Sequence, residues 1–275
     1  MTHVPRYAVN CSLIFTELPV LERPAAARAA GFDAIEFWWP WQTPTVSDAE
    51  LDAFAAAVRD AGVQLVGLNF FAGDLLGPDC GVASIPARTN EFRENIELVI
   101  GLGGRLATRR FNALFGNRVD GVAASEQDEL GVAALIDAAR AAGSIGATVM
   151  VEPVSGPKPY PLRTAADAMA IADRVRREGR VDNIGLLADF FHLARNGDDV
   201  AAAIDSWADD IVHVQIADAP GRHEPGTGEL DLRGWTTRLL DAGYDGWIAL
   251  EYVPSGSSAD SFGWLPVDER AAAIR

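Results

Sequence analysis

Residues 184–216 read IGLLADFFHLARNGDDVAAAIDSWADDIVHVQI, and this stretch decides the fold. It opens with the short apolar run 184–188 and closes with the run 211–216, both typical of buried parallel strands. Between them, residues 199–207 form an alanine-rich pattern that favours a helix. A strand, a helix and a second strand in this order predict two parallel strands joined by a right-handed crossover.

The same alternation continues in both directions along the chain. The strand-like segments are residues 7–11, 34–37, 64–69, 109–114, 148–152, 184–188, 211–216 and 246–251. The helical patterns are residues 21–30, 48–61, 91–102, 126–142, 164–177, 199–207 and 232–242. Eight such strands in 275 residues predict one α/β domain over residues 1–275, a single (β/α)₈ TIM barrel.

Two details qualify this barrel prediction. An open dinucleotide-binding sheet is disfavoured, because no G-x-G-x-x-G motif follows the first strand. The fourth strand has an alternative position, since residues 103–108 could hold part of it.

Ser47 and Glu50 bracket the predicted start of the second helix and indicate a capping box, with Ser47 as the N-cap.

The composition disfavours several kinds of partner. Hydrophobic residues make up 49% of the chain and charged residues 23%, and no stretch approaches the roughly 20 apolar residues of a membrane span. The net charge of −16 disfavours a nucleic acid or an anionic membrane as partner. A small anionic substrate remains compatible with this charge, provided that the site carries its own cationic side chain.

The start of the sequence and its cysteines indicate a cytoplasmic protein. Residues 1–6 lack the apolar region of a secretory signal, and His3 is expected to be an unconstrained terminal residue. Cys11 and Cys80 are too few for a disulfide framework and are expected to be packing residues in a reducing compartment. A homo-oligomer stays open, because the sequence does not reveal the number of subunits.

Polar residues close four consecutive strands at the end where barrel enzymes carry their chemistry. Glu152, Asp189, Gln215 and Glu251 follow or end the fifth to eighth strands. Each residue alone is compatible with a solvated or capping role. Three carboxylates buried side by side would oppose one another's ionisation unless a cation joined them. The pattern therefore predicts a divalent metal site, and its oxygen ligands favour Mg²⁺ or Mn²⁺.

Cationic side chains near this rim are candidate contacts for a substrate anion or oxygen. His192 follows Asp189 by three residues, and the long loop after the seventh strand carries Arg222 and His223. Lys158 lies in the loop after the fifth strand. The alternatives are a packing role for His192 and a solvated surface role for the loop residues.

Other residues near the rim have two interpretations each. Glu36, at the end of the second strand, either supports the site and its substrate or forms a salt bridge. His213 faces the same way as Gln215 and is either a core hydrogen-bonding residue or a substrate contact. The aromatic runs 37–41 and 70–71 favour walls over the barrel mouth, although core packing explains part of them.

Taken together, these segments resemble the hydroxypyruvate isomerase family, within the xylose-isomerase-like barrels. The most specific stretch runs from His213 to Glu229. The other matching segments are residues 10–17, 31–37, 68–74, 152–153, 189–192 and 243–252.

The resemblance implies a metal bound by Glu152, Asp189, Gln215 and Glu251, with Glu152 and Glu251 as the proton donor and acceptor pair. It also implies a small-molecule substrate: the family interconverts hydroxypyruvate and tartronate semialdehyde, and close relatives isomerise 2-oxo-tetronates. The sequence departs from the family where residues 154–158 replace an Asn-containing turn. It departs again at Phe191, which stands where the family has tyrosine.

Several activities are compatible with such a site. The expected chemistry is proton transfer through an enediolate, with a metal-assisted hydride shift as the competing route. Epimerisation or dehydration of a sugar or cyclic polyol is an alternative reaction. A non-catalytic sugar-acid binding protein is an alternative of a different class. A nucleic-acid phosphoesterase is disfavoured by the acidic charge and by the presence of only 4 histidines.

Overall fold

The computed structural model describes residues 4–271 and forms a closed barrel of eight parallel strands. Neighbouring strands follow the chain order, and the first strand pairs with the eighth to close the barrel. The strands are β1 Tyr7–Asn10, β2 Ala34–Phe37, β3 Gln64–Asn69, β4 Arg110–Asn112, β5 Thr148–Val151, β6 Ile184–Asp189, β7 Ile211–Ile216 and β8 Ile248–Leu250. The predicted (β/α)₈ barrel is confirmed. His3 lies outside the described residues.

Helices follow the strands and cover the outside of the barrel. They are α1 Arg23–Ala29, α2 Asp48–Ala61, α3 Thr89–Leu106, α4 Ala124–Gly143, α5 Ala165–Gly179, α6 Phe190–Arg195, α7 Val200–Trp207 and α8 Leu232–Asp241. Short 3₁₀ turns lie at Val20–Glu22, Asp260–Phe262 and Val267–Glu269. No helix within residues 4–271 is long and apolar enough to span a membrane.

The structure corrects two of the predicted elements and adds one helix. The helix predicted over residues 21–30 is divided, because Pro24 suits the first turn of a new helix and α1 begins at Arg23. Residues 103–106 belong to the last turns of α3, so the alternative position of the fourth strand is wrong. The sequence did not predict α6, since six residues are too few to show a helical period.

The capping box at the start of α2 is confirmed. The hydroxyl of Ser47 accepts a hydrogen bond from the backbone N–H of Glu50, whose carboxylate accepts one from the backbone N–H of Ser47 at 2.9 Å. The box satisfies two of the N–H groups that a helix start leaves unpaired.

The inside of the barrel changes from apolar to polar along the strands. A small apolar cluster lies apart from the main core and contains Ala8, Ala34, Val66 and Ala249. Two residues beyond three of these positions come Asn10, Glu36 and Glu251, all buried. Because side chains two positions apart along a strand share a face, these polar groups lie on the interior face at the C-terminal end of the barrel.

Glycine in α3 allows this helix to approach β4 closely. A Cβ atom added at Gly103 would lie 2.3 Å from the ring of Phe111, which is on β4. Gly101, on the same helix, is exposed and has no atom within 4 Å of an added Cβ. The packing of α3 against β4 therefore requires glycine at position 103 only.

Alanine at these two glycines should change stability in opposite directions. Gly103→Ala should lower the free energy of unfolding by about 1–3 kcal/mol, because the added methyl group overpacks the contact with Phe111. The matched control Gly101→Ala should raise it by about 0.5–1 kcal/mol, since alanine is the better helix former. Urea denaturation followed by circular dichroism measures both. Equal effects of the two substitutions would contradict this packing.

Candidate metal centre and active site

Four oxygen-bearing side chains meet at the C-terminal ends of four consecutive strands. Glu152 and Glu251 directly follow β5 and β8, Asp189 ends β6, and Gln215 lies on β7. Asp189 and Gln215 are partners in the register of β6 and β7. Each of the four is at most 4% exposed. The barrel thus brings these groups together out of contact with bulk water.

The arrangement of these atoms suits a divalent cation. One ligand atom from each of Glu152, Asp189, His192 and Glu251 lies within 4.8 Å of the others. Asp189 Oδ2 and Gln215 Oε1 are buried and have no hydrogen-bond partner within residues 4–271. An unpaired buried acceptor costs about 1–3 kcal/mol, which coordination would offset. The donor set of carboxylate and amide oxygens therefore fits Mg²⁺ or Mn²⁺.

The start of α6 fixes the orientation of Asp189. Its Oδ1 accepts hydrogen bonds from the backbone N–H groups of Phe191 at 2.8 Å and His192 at 3.1 Å, so Asp189 is the N-cap of this helix. Oδ2 is left free for another partner. The short helix missed by the sequence analysis therefore orients a candidate ligand.

Burial and mutual repulsion disfavour ionisation of the three carboxyl groups. Burial raises the pKa of Glu152 well above its ordinary value, and the charges of Glu251 and Asp189 add to this effect. Burial also raises the pKa of Asp189 to about 6 and that of Glu251 to about 8, although Arg222 opposes both shifts. A cation between these groups would favour their ionised forms.

His192 presents a donor, rather than a lone pair, to this centre. Its Nδ1 lies 3.1 Å from the backbone nitrogen of Ser155 and 2.7 Å from the hydroxyl of the same residue. Since a backbone N–H can only donate, Nδ1 accepts. Burial lowers the pKa of His192 well below its ordinary value, so the ring is neutral and its proton is on Nε2. Nε2 lies 3.5 Å from Asp189 Oδ2.

Arg222 brings positive charge to the same place. Its guanidinium bonds to the carboxylate of Glu251 and lies 3.9 Å from Asp189 Oδ2. The guanidinium also lies 5.4 Å from the ring centroid of Phe191. Its Nε is buried without a hydrogen-bond partner in the described part of the chain. Arg222 thus retains an unused donor beside the carboxylates.

The other two cationic candidates are engaged elsewhere. Lys158 lines the cavity, but its ammonium donates to the carbonyl oxygens of Leu75 at 3.1 Å and Asp79 at 2.5 Å. It thereby ties the loop after β5 to the loop after β3. His223 lies outside the cavity wall, and its Nδ1 is 2.7 Å from the carbonyl oxygen of Val253. Of the four candidates, the structure therefore brings His192 and Arg222 to the carboxylates.

Glu36 and His213 lie behind the cavity wall and contact each other. The distance from His213 Nε2 to Glu36 Oε2 is 2.7 Å. Glu36 also accepts a hydrogen bond from the side chain of Gln215 at 2.8 Å. These contacts favour the supporting role for Glu36 and the core hydrogen-bonding role for His213.

Three residues that hold the glutamates were not singled out for this role from the sequence. Trp38 Nε1 donates to Glu251 at 2.8 Å, and Asn112 Nδ2 donates to Glu152 at 2.6 Å. Asn10 Nδ2 also donates to Glu251, at 3.1 Å. Asn10 and Asn112 end β1 and β4, but the predicted strands extend to residues 11 and 114, so the strand-end rule does not mark either residue. Trp38 was interpreted only as an aromatic wall.

Asp218 organises the loop that carries Arg222. Its two carboxylate oxygens accept hydrogen bonds from four backbone N–H groups between 2.9 and 3.1 Å, those of Ala219, Gly226, Gly228 and Leu230. The close approach requires glycine at position 228, where an added Cβ would lie 1.9 Å from the carbonyl oxygen of Ala219. The loop after β7 is therefore held in a defined conformation by its hydrogen bonds to Asp218, and it is not a solvated segment.

Comparison with known proteins identifies the family. A family model described as a xylose isomerase-like TIM barrel matches residues 24–267. The chain belongs to this family. A Streptomyces coelicolor protein provisionally named hydroxypyruvate isomerase is 52% identical over 97% of this chain and 98% of its own length. The sequence-based resemblance to the hydroxypyruvate isomerases, and the predicted class of enzyme, an isomerase, are confirmed.

Two further proteins with other names resemble this chain. A 2-oxo-tetronate isomerase of Cupriavidus necator is 32% identical over 95% of this chain and 98% of its own length. A Brucella melitensis crystal structure described as an AP endonuclease of family 2 is 30% identical, with a TM-score of 0.85 over 95% of this chain and 98% of that one.

Asp218→Asn should loosen the loop that carries Arg222. An amide nitrogen in place of one carboxylate oxygen cannot accept from two N–H groups, and each buried donor left unpaired costs about 1–3 kcal/mol. We expect a lower free energy of unfolding and faster hydrogen exchange at residues 219–230. Asp231→Asn is the matched control, because the exposed cap at Gly234 uses only Oδ1. Unchanged exchange in the Asp218→Asn protein would contradict the role of this carboxylate.

Without a divalent cation, the protein should lose stability as the pH rises from about 6.5 to about 8. In this window the folded protein retains protons on Glu152 and Glu251, whose pKa values are raised, with Glu251 at about 8. The unfolded chain has already lost these protons, so a rise in pH favours unfolding. The window begins at about 6.5 because at lower pH the buried neutral His192 opposes the trend.

Thermal denaturation in EDTA and in Mn²⁺ measures this dependence. The melting temperature should fall across the window in EDTA, and Mn²⁺ should stabilise the protein most at its upper end. Glu251→Gln, which removes one of the two groups, should flatten the trend in EDTA. A melting temperature that stays constant or rises in EDTA would show that these carboxyl groups ionise freely in the folded protein.

Proposed function

We propose that this protein is a metal-dependent isomerase of a small 2-oxo or hydroxy acid, with hydroxypyruvate and tartronate semialdehyde as the preferred pair. The observation that carries the proposal is the buried cluster of Glu152, Asp189 and Glu251. Gln215 contacts Glu251 at its edge, and two oxygens, Asp189 Oδ2 and Gln215 Oε1, are unpaired within residues 4–271. The 52% identity to the Streptomyces coelicolor protein supports this choice of substrate.

The size and lining of the cavity suit such a substrate. Its volume is about 140 Å³, below the roughly 300–1,000 Å³ of pockets for drug-sized ligands. Its wall includes Glu152 and Glu251 together with His192 and Arg222. A molecule of three or four carbon atoms placed there would meet two carboxyl groups, a neutral N–H donor and a guanidinium.

The positions of the chain's own groups support the following roles. A bound Mg²⁺ or Mn²⁺ would polarise the carbonyl and hydroxyl oxygens of the substrate and offset the negative charge of an enediolate. One of Glu152 and Glu251 removes the proton from carbon, and the other returns or relays it. His192 donates from Nε2 to a substrate oxygen. Arg222 binds the substrate carboxylate through donors that include its unused Nε–H.

The nearest alternative is isomerisation of a 2-oxo-tetronate, which the Cupriavidus necator relative favours. It requires only one more carbon atom in the same cavity and the same proton transfer. Cleavage of nucleic acid, the activity named for the Brucella melitensis structure, is disfavoured by the net charge of −16, which repels a phosphate backbone.

The experiment is isomerisation of hydroxypyruvate before and after metal removal, followed by NMR. We expect activity to vanish with EDTA and to return with Mn²⁺ or Mg²⁺. Glu152→Gln should lower kcat by about 10²–10⁴-fold, because it removes a group that transfers a proton. Glu129→Gln, at an exposed glutamate of α4, is the matched control and should leave kcat unchanged.

Other outcomes assign the alternatives. Turnover of 2-oxo-tetronate alone would move the substrate to that class, and turnover of a sugar or cyclic polyol alone would indicate epimerase or dehydratase chemistry. Binding without turnover of any of these acids would indicate a binding protein. In D₂O, a product without solvent deuterium would exclude proton transfer and leave the hydride shift.

A further inference from the structure

Four hydrogen-bonded side chains, one of them Gln215, lie behind the proposed metal centre. Its members are Asn10 of β1, Glu36 of β2 and His213 and Gln215 of β7, each at most 3% exposed. Glu36 is the common acceptor: its Oε1 lies 2.8 Å from both Asn10 Nδ2 and Gln215 Nε2, and its Oε2 lies 2.7 Å from His213 Nε2. The proposed chemistry assigns no role to this carboxylate.

The direction of these hydrogen bonds is determined by the backbone. Asn10 Oδ1 accepts from the backbone N–H of Ser12 at 2.9 Å, so the amide NH₂ of Asn10 must face Glu36. Glu36 Oε1 is therefore an acceptor. Gln215 must also present its NH₂ to this oxygen, because its carbonyl oxygen would repel a carboxylate at the same distance. The backbone that follows β1 thus determines, through Asn10 and Glu36, which end of the Gln215 amide faces Glu36.

Because the Gln215 amide turns its nitrogen toward Glu36, its oxygen Oε1 is left without a partner in residues 4–271. The amide nitrogen is used by Glu36 and, at 3.3 Å, by Glu251. The amide oxygen is buried and has no hydrogen-bond partner in residues 4–271. An amide with the opposite orientation would turn its NH₂, which repels a cation, in the direction now taken by this oxygen.

The neighbouring strand leaves space for Glu36. Gly67 of β3 is its partner in the register of β2 and β3, and a Cβ added there would lie 3.0 Å from Glu36 Oε2. Glycine at this position lets the carboxylate lie against the strand and reach β7. The absence of a side chain at Gly67 therefore leaves room for the contact between Glu36 and Gln215.

We propose that Glu36 is a positioning residue for metal binding: it holds the Gln215 amide so that the oxygen, and not the NH₂ group, faces the cation. This inference rests on the proposed function, because it presumes a cation at the carboxylate cluster. Glu36 acts through Gln215 and touches neither the substrate nor the metal. Groups that orient the ligands of a metal typically change its affinity by about 10–100-fold when they are removed.

The test is the affinity of the full-length protein for Mn²⁺ alone, measured by the EPR signal of the free ion. Glu36→Ala and Glu36→Asp should each weaken binding about 10–100-fold. Glu36→Ala removes the acceptor and frees the Gln215 amide to rotate. Glu36→Asp keeps the charge but withdraws the carboxylate from Gln215, so it separates orientation from simple electrostatic attraction. Circular dichroism and melting temperature in EDTA verify that each variant is folded.

The isosteric variant Glu36→Gln provides the control. Asn10 directs its NH₂ to the position of Glu36 Oε1, so the amide introduced at position 36 keeps its oxygen there and turns its own NH₂ toward His213. That oxygen still accepts from Gln215, so Glu36→Gln should bind Mn²⁺ more tightly than either other variant although it has lost the charge. A side chain that acted only through its charge would lose affinity in Glu36→Gln as well.

The outcomes separate this inference from the function on which it rests. Wild-type affinity in the Glu36→Asp protein, or a Glu36→Gln protein that binds as weakly as Glu36→Ala, would overturn the positioning role and leave the metal-dependent function standing. Wild-type protein that does not bind Mn²⁺ would overturn the proposed function and this inference together. Should Glu36→Ala fail to fold, the charge-conserving Glu36→Asp protein decides the question.

Discussion

Three carboxyl groups buried side by side are the constraint on which the rest of the site depends. Glu152, Asp189 and Glu251 are each at most 4% exposed, and burial raises the pKa of all three. A fold does not retain such a cluster for stability, since buried like charges oppose one another. The positive charge of Arg222 relieves part of the cost, and a divalent cation would relieve more. The site is therefore suited to bind a cation.

The surrounding polar groups act mainly by determining orientation. Asp189 is oriented by the N-terminus of α6, Glu152 by Asn112 and Glu251 by Trp38. His192 is held by Ser155 with its donor toward the carboxylates. Asp189 Oδ2 is left for a ligand, whereas both oxygens of Glu251 are already bonded, Oε1 to Trp38 and Oε2 to Arg222. Such prior orientation reduces the reorganisation that binding and catalysis require.

Hydrogen bonds from charged side chains also hold the loops at the mouth of the barrel. Asp218 gathers four backbone N–H groups and shapes the loop that presents Arg222. Lys158 joins the loops after β3 and β5 by donating to two carbonyl oxygens. A charged side chain at the mouth of the barrel can either hold a loop or contact the substrate. The residue type alone does not reveal which of these two roles it has. Lys158 has the charge expected of an anion contact, but its ammonium donates to backbone carbonyl oxygens instead.

The sequence alone determined the barrel and which strand ends carry Glu152, Asp189, Gln215 and Glu251, because strand and helix periods and strand-end positions are local properties of the chain. It also placed the protein near the hydroxypyruvate isomerases, through the run from His213 to Glu229. Only the tertiary structure decided that Glu36 contacts Gln215, 179 positions away, and that His223 lies outside the cavity wall. The direction of a side chain and the identity of its partner depend on strands that are adjacent in space, and the order of residues along the chain does not contain that information.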